Sequence, residues 1–248
     1  RLRLRHDFRR SKQSLLPKFE IFSSDRVPGP GPFGSQLPVA DVYHLHWVSN
    51  LIDYGHFFGG LSPFTPLVWT LHDMNPFTGG CHYAFSCEKF TSSCGACAQL
   101  GSLNENDLSR RIHSRKARAL SLVDPMTTRI AAPSNWISQE AKRSSLLSRF
   151  SVETIPNGVN CEVFQPRNRA VARDLFGLPA DHCVILFVAD SVANYRKGFD
   201  LLQAALKDLS VRVPVRLAAI GRGRDGACPP DTALLGRIDN ERMLSFAY

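Results

Sequence analysis

Cys183-Val-Ile-Leu-Phe-Val-Ala-Asp-Ser-Val-Ala-Asn-Tyr-Arg-Lys-Gly-Phe-Asp200 decides the fold class. The run Cys183–Ala189 is seven residues of apolar text. That is the length of a buried strand and far short of the roughly 20 residues a membrane-spanning helix needs. A short polar loop follows, and a helix is expected over 198–209. The same alternation continues on both sides. A helix is expected at 169–176, strands at Val215–Ile220 and Ala233–Leu235, and a helix from about Asn240. Strands that alternate with helices specify βα units and a parallel sheet.

Upstream, Val42–His46 and Leu67–His72 read as strands, 73–103 as a long cysteine-bearing loop and 104–123 as a polar helix. Thr128–Ala132 is a further strand. Ser134 suits the N-cap of a helix over 135–147, and Val152–Ile155 is a strand that stops at Pro156-Asn-Gly158. Residues 1–40 are set apart as irregular, because Val27-Pro-Gly-Pro-Gly-Pro-Phe-Gly34 forbids a helix or a central strand. The expected organisation is therefore 1–40 irregular, 41–165 one Rossmann-like α/β domain and 166–248 a second, both incomplete.

Ligands of open parallel sheets bind at the carboxyl ends of the strands. His46 and Trp47 end the first strand, His72 and Asp73 the second, and Asn157 and Gly158 follow the strand at 152–155. Lys197, with Arg196 beside it, is expected to open a helix after the strand 183–189. Free backbone N–H groups and the helix dipole favour an anion there, and the pair makes a candidate diphosphate clamp. Gly221-Arg-Gly-Arg-Asp-Gly226 fits a dinucleotide pattern. Pro229 and Pro230 block the helix that the pattern requires, so the stretch is read as a loop.

Cys81, Cys87, Cys94 and Cys97 form a cluster with His82 beside the first. Cys94-Gly-Ala-Cys97 has zinc-knuckle spacing, and four thiolates suit a closed tetrahedral site. Disulfides and a redox-active pair are the other readings of the same residues. The net charge of +8 concentrates at the start, where residues 1–18 hold seven basic side chains against Asp7 alone. A basic arm of this kind binds nucleic acid or anionic lipid. Phe8 is its sole aromatic residue, which argues against single-stranded nucleic acid. Arg111, Arg115 and Arg118 fall on one face of the helix expected at 104–123 and offer a second surface for anionic lipid or a phosphorylated acceptor.

Several of these stretches occur in an order that resembles one family. They are Asp41–Trp47, Val68-Trp-Thr-Leu-His-Asp73, Phe77-Thr-Gly-Gly-Cys-His-Tyr83, Cys94–Cys97, Pro133-Ser-Asn-Trp136, Ile155-Pro-Asn-Gly-Val159 and Arg196–Asp200. Together they look like a bacterial group 1 (family 4) glycosyltransferase, of the branch with a Thr-Gly-Gly-Cys-His-Tyr and cysteine segment. The resemblance covers roughly 40–248.

It implies the GT-B arrangement, two Rossmann-like doubly wound domains about a cleft, with 41–165 on the acceptor side and 166–248 binding the nucleotide-sugar donor. It implies retaining transfer of a sugar from a nucleoside-diphosphate sugar to a glycan or lipid-linked acceptor in surface polysaccharide synthesis, without a catalytic metal. A structural zinc is the one metal in view. Lys197 and Arg196 match the contacts to the donor diphosphate, His72 the histidine near the transferred sugar, with Asp73 next to it, and Asn157 and Gly158 the segment at the domain junction. The implied location is cytoplasmic, with peripheral contact at an anionic inner membrane face, and no nucleic acid is expected as partner.

The chain departs from the pattern in three places. The amino-terminal glycine-rich loop is missing. Ala189-Asp190 stands where a Gly-Arg pair supplies a second cation, and the paired glutamates of the donor site would lie beyond Tyr248. A chain cut short at both ends, and inactive as a fragment, is one expectation. A non-catalytic zinc-knuckle protein with a basic nucleic-acid-binding arm is the alternative of another class.

Overall fold

The computed structural model describes residues 21–27, 39–62, 64–208, 214–223, 228 and 231–248. The basic arm 1–18, all but the first residue of the Pro/Gly run and the end of the glycine pattern at 224–226 lie outside them. The chain divides into two compact units, Arg1–Asn157 and Gly158–Tyr248. The expected boundary, 165/166, falls a little further along.

Unit 1 carries β1 (Tyr43–Leu45), α1 (Tyr54–Gly60), β2 (Leu67–Thr70), α2 (Leu108–Leu120), β3 (Thr128–Ala132), α3 (Asn135–Arg143) and β4 (Ser151–Thr154). Its four strands are all parallel and stand in the order β1-β2-β3-β4. Unit 2 carries α4 (Arg169–Leu175), β5 (Cys183–Ser191), α5 (Phe199–Lys207), β6 (Val215–Arg222), β7 (Ala233–Gly236) and α6 (Glu241–Ala247), with a parallel sheet β5-β6-β7. Two parallel α/β sheets are the Rossmann-like class that the alternation specified. No reversal of strand order occurs among the described strands.

Local chemistry explains most of the boundaries. Ser134 caps α3 by accepting from the Ile137 N–H, Asp107 caps α2 through Arg110 N–H and Asn168 caps α4 through Ala170 and Val171 N–H. Helix α1 has no counterpart in the sequence reading. Three glycines in Tyr54-Gly-His-Phe-Phe-Gly-Gly60 give it poor propensity. It forms because Asp53 accepts from His56 N–H at 3.1 Å, while Tyr54, Phe57 and Phe58 bury at helical spacing in the main core.

The segment set apart before residue 40 is also part of unit 1 where it is described. Phe22, Ser23, Ser24 and Asp25 are all buried. Ser23 N–H donates to Gly80 O at 2.8 Å, and Phe22 bridges Cys81. This piece is irregular, as the composition required, yet it is built into the core.

Strand β5 shows the two-residue period of a sheet with different neighbours on each face. Ile185 and Phe187 pack towards Phe199 of α5. Val184, Leu186 and Val188 line a cavity of about 1110 Å³ that α4 and α6 border.

Candidate functional site

In unit 1 the parallel register of β1 and β2 brings the residues after both strands to one edge. Leu45 stands opposite Trp69, so His46 and Trp47 leave the sheet beside the stretch that carries His72 and Asp73. The exposed imidazoles of His46 and His72 are hydrogen bonded to each other, Nδ1 to Nε2, at 3.0 Å. One ring donates and the other accepts, so each ring keeps its second nitrogen for another partner. His44 lies 4.3 Å from His46, ring to ring, and bonds Thr70 Oγ1 at 2.9 Å. Partial burial and the nearby His46 charge lower the pKa of His44.

Asp73 is differently placed. It is 5% exposed. Its Oδ1 accepts from Asn75 N–H at 2.8 Å, and its Oδ2 takes both Trp47 Nε1–H at 2.8 Å and His82 Nδ1 at 2.6 Å. Burial works against the charged carboxylate, but the His82 imidazole, the Asn75 N–H and the Trp47 indole together hold its pKa below the ordinary value. A carboxylate so occupied orients its neighbours; it has little capacity left for a substrate. His82 serves this network and bonds Ser23 Oγ at 2.9 Å through Nε2.

The loop that holds His82 is pinned from beneath. Lys116 of α2 is fully buried and donates to Asn75 O, to Asn75 Oδ1 at 3.3 Å and to Thr78 O at 3.2 Å. Its ammonium sits 5.1 Å from the centre of the Tyr54 ring, and burial lowers its pKa to about 8. Gly79 crosses α2 so closely that a Cβ there would lie 2.4 Å from Ser109 O.

Cys81, Cys87, Cys94 and Cys97 are free thiols of this loop. Cys94 Sγ accepts from Gly79 N–H at 3.1 Å. Burial pushes the Cys81 thiol up to about 12 and the Cys94 thiol to about 11, which makes both poor nucleophiles at neutral pH. Among the described residues no group of three or more His, Cys, Asp or Glu is arranged to hold a metal ion.

The arginine face of α2 is broken up as well. Arg115 points inward and clamps the buried Asp25 carboxylate, with Nη2 2.6 Å from Oδ1 and Nε 2.9 Å from Oδ2. Arg111 and Arg118 remain exposed.

In unit 2 the loop after β5 forms a 3₁₀ turn, Tyr195–Lys197, capped by Asn194. Lys197 therefore does not open the helix, which starts at Phe199 after Gly198 at φ +75°. The left-handed Gly198 is the physical reason: it breaks the turn from α5 and aims the turn separately. Lys197 is exposed and Arg196 half-buried at the carboxyl end of β5. The end of β6 adds a cation missed in the sequence, Arg222, whose Nη2 lies 3.8 Å from Asp190. Gly221 makes that approach possible, since a Cβ there would meet Ala189 O at 2.3 Å. Asn157 and Gly158 are exposed and straddle the boundary of the two units.

No family model matches the chain. Over 114 residues it is 34% identical to D-inositol 3-phosphate glycosyltransferase of Mycolicibacterium smegmatis, which covers 44% of this chain and 25% of that protein. Over 74 residues it is 39% identical to glycogen synthase of Methylocella silvestris, covering 30% of this chain and 14% of that protein. The chain is similar to sugar transferases. It spans a quarter or less of the length of these curated relatives. Among the described residues no helix is long and apolar enough to cross a membrane.

Proposed function

We propose that this chain serves a retaining glycosyltransferase, one that moves a sugar from a nucleoside-diphosphate sugar to a glycan or lipid-linked acceptor. The observation that carries the reading is the pair of equivalent edges. Each parallel sheet presents chemistry at its carboxyl ends, imidazoles and an indole in unit 1 and cations in unit 2. Breaking the bond to the donor leaves negative charge on the diphosphate, and fixed cations stabilise that charge as it develops. Arg196 and Lys197 take this role. Arg222 adds charge on the same sheet edge, where the sequence had offered only Ala189-Asp190 near the end of β5.

His72 orients the sugar or the acceptor through the ring nitrogen that His46 leaves available. Asp73 is a positioning residue in this scheme. Asn157 and Gly158 supply backbone at the junction, and no resident metal is needed for the transfer itself. Surface polysaccharide synthesis in the cytoplasm, with Arg111 and Arg118 turned to an anionic membrane face, is the setting that fits such an acceptor. The spacing of the four cysteines alone supports a structural zinc.

Binding tests the donor half directly. Uridine, guanosine and adenosine diphosphates are titrated calorimetrically against the chain and against Lys197→Ala, with the nucleosides as controls. Loss of one charge-assisted hydrogen bond to phosphate costs roughly 1.5–3 kcal/mol, about 10- to 100-fold in affinity. The expected result is that loss for the diphosphates alone. Equal diphosphate binding by both proteins would remove Lys197 from the site. Lys197→Arg should recover only part, because a planar guanidinium does not occupy the place of a compact ammonium.

A further inference from the structure

We infer that Trp47 is a stacking platform for a pyranose ring of the acceptor, and that Ser23, His82 and Asp73 form the buried device that holds its indole in place. The inference rests on the glycosyl-transfer reading and names the chemistry its acceptor side recognises.

An exposed aromatic side chain by itself needs no explanation. What separates Trp47 is the chain of buried groups that ends on its N–H. Trp47 is 47% exposed, whereas Ser23, His82 and Asp73 are 2%, 2% and 5% exposed. The links run Ser23 Oγ to His82 Nε2 at 2.9 Å, His82 Nδ1 to Asp73 Oδ2 at 2.6 Å and Asp73 Oδ2 to Trp47 Nε1 at 2.8 Å. Burying a carboxylate and an imidazole is costly unless every partner is in place. Packing alone could have been met by apolar side chains. The polar chain does something packing does not: it fixes the angle of an indole that stays about half open to water.

The order serine, histidine, aspartate resembles a hydrolase triad. Ser23 is too deeply covered to attack anything, so the network orients rather than reacts. Its output is the indole. A pyranose presents a face of polarised C–H bonds that stacks on an electron-rich aromatic face, and an immobile plate loses little entropy when it binds. His46 and His72, exposed on the same sheet edge, supply the donors and acceptors that ring hydroxyls require.

The test uses 5-fluorotryptophan labelling and fluorine NMR. The chain has three tryptophans, and Trp47→Phe assigns the resonance of interest. Methyl glucopyranoside, galactopyranoside and mannopyranoside are titrated, with glucitol as an acyclic control. Octyl glycosides below their micellar concentration compare a lipid-linked with a free acceptor.

The expected result is that at least one pyranoside saturably shifts the Trp47 resonance and leaves Trp69 and Trp136 still, while glucitol shifts none. Ser23→Ala, read the same way, should broaden the Trp47 line and weaken that pyranoside about 3- to 10-fold. Should Ser23→Ala fail to fold, the wild-type titration still decides. A silent Trp47 resonance with every pyranoside, or an equal shift with glucitol, overturns the platform. Diphosphate binding is measured on the same samples. Diphosphate binding with a silent Trp47 sinks this inference alone, and a shifted Trp47 without diphosphate binding sinks the transfer reading and leaves the platform standing.

Discussion

The carboxyl edge of unit 1 is tied together before any ligand arrives, whereas that of unit 2 is a set of charges on short tethers. Around Asp73 and Asn75, Trp47, His82, Ser23, Ser49 and Lys116 are joined by hydrogen bonds to side chain or backbone, most of them buried. Beside β5 and β6, Lys197 is exposed and Arg222 meets Asp190 across 3.8 Å at the surface. The difference suits the two proposed tasks. A neutral acceptor ring is recognised by shape, and shape needs rigid walls. A diphosphate brings two strong charges and can draw mobile cations to itself. Unit 1 should therefore respond to mutation through stability, and unit 2 through binding.

The largest effect expected from this contrast is at Gly79. A Cβ at that position would lie 2.4 Å from Ser109 O and 2.7 Å from Cys94 Cβ. The first of these is backbone, which cannot rotate away. Gly79→Ala should cost about 3 kcal/mol of unit 1 stability, at the upper end of the usual penalty for overpacking. Thermal melts give the loss, and amide hydrogen exchange should confine it to residues before 158. Unchanged exchange around α2 would mean that the loop has room to move and that the edge is less rigid than the geometry indicates.

A smaller loss, set by a single pair, is expected at Arg115. Spacing put Arg111, Arg115 and Arg118 on one face, and only the fold shows that Asp25 lies beneath the middle one. Removing a guanidinium from a buried carboxylate costs about 3 kcal/mol when the acid stays ionised, and less when it takes up a proton. Arg115→Ala should therefore destabilise by about 2 kcal/mol at neutral pH, and Asp25→Asn in the same chain should restore part of it. Arg111→Ala and Arg118→Ala, on the exposed face, should leave the melt unchanged. Equal effects at all three would say that Asp25 is not where the charge matters.

Asp25 also marks what the sequence could and could not show. The strands were legible because their apolar runs are continuous, and β3, β5 and β6 stand within a few residues of their expected spans. The carboxyl-edge rule placed His46 and His72 at one edge from the parallel alternation and their strand-end positions. Three things were hidden. Helix α1 depends on an aspartate cap and tertiary burial, which its glycines mask. Residues 22–25 look like linker because their partners, Gly80, Cys81 and Arg115, are far along the chain. The role of His82 is to bond Asp73, and no local spacing encodes a partner that is itself fixed by a strand end. The cysteine spacing pointed to zinc, and spacing alone does not show that Cys94 accepts from Gly79 N–H or that Cys81 pairs with Phe22. Charge misled in a different way, since the turn containing Lys197 ends at a left-handed glycine that the text does not distinguish from a helix start.

A small effect of opposite sign is expected at Gly158, and it sharpens the comparison because the residue is also a site candidate. No atom lies within 4 Å of where its Cβ would be, in contrast to Gly79, where three lie within 3 Å. Its backbone is not in the left-handed region, unlike Gly198 or Gly236, so alanine adds no strain. Replacing an unstrained glycine by alanine also narrows the unfolded ensemble, which stabilises by about 0.4–1 kcal/mol. Gly158→Ala should therefore melt no lower than the parent chain, and slightly higher if anything. The space beside it then has another use. If backbone at the junction approaches a bound ligand, a methyl group occupies the ligand's volume, and diphosphate-sugar affinity falls while stability does not. A melt lowered by alanine would show that residue 158 is packed in solution. A higher melt with unchanged affinity would leave Asn157 alone at that place in the site.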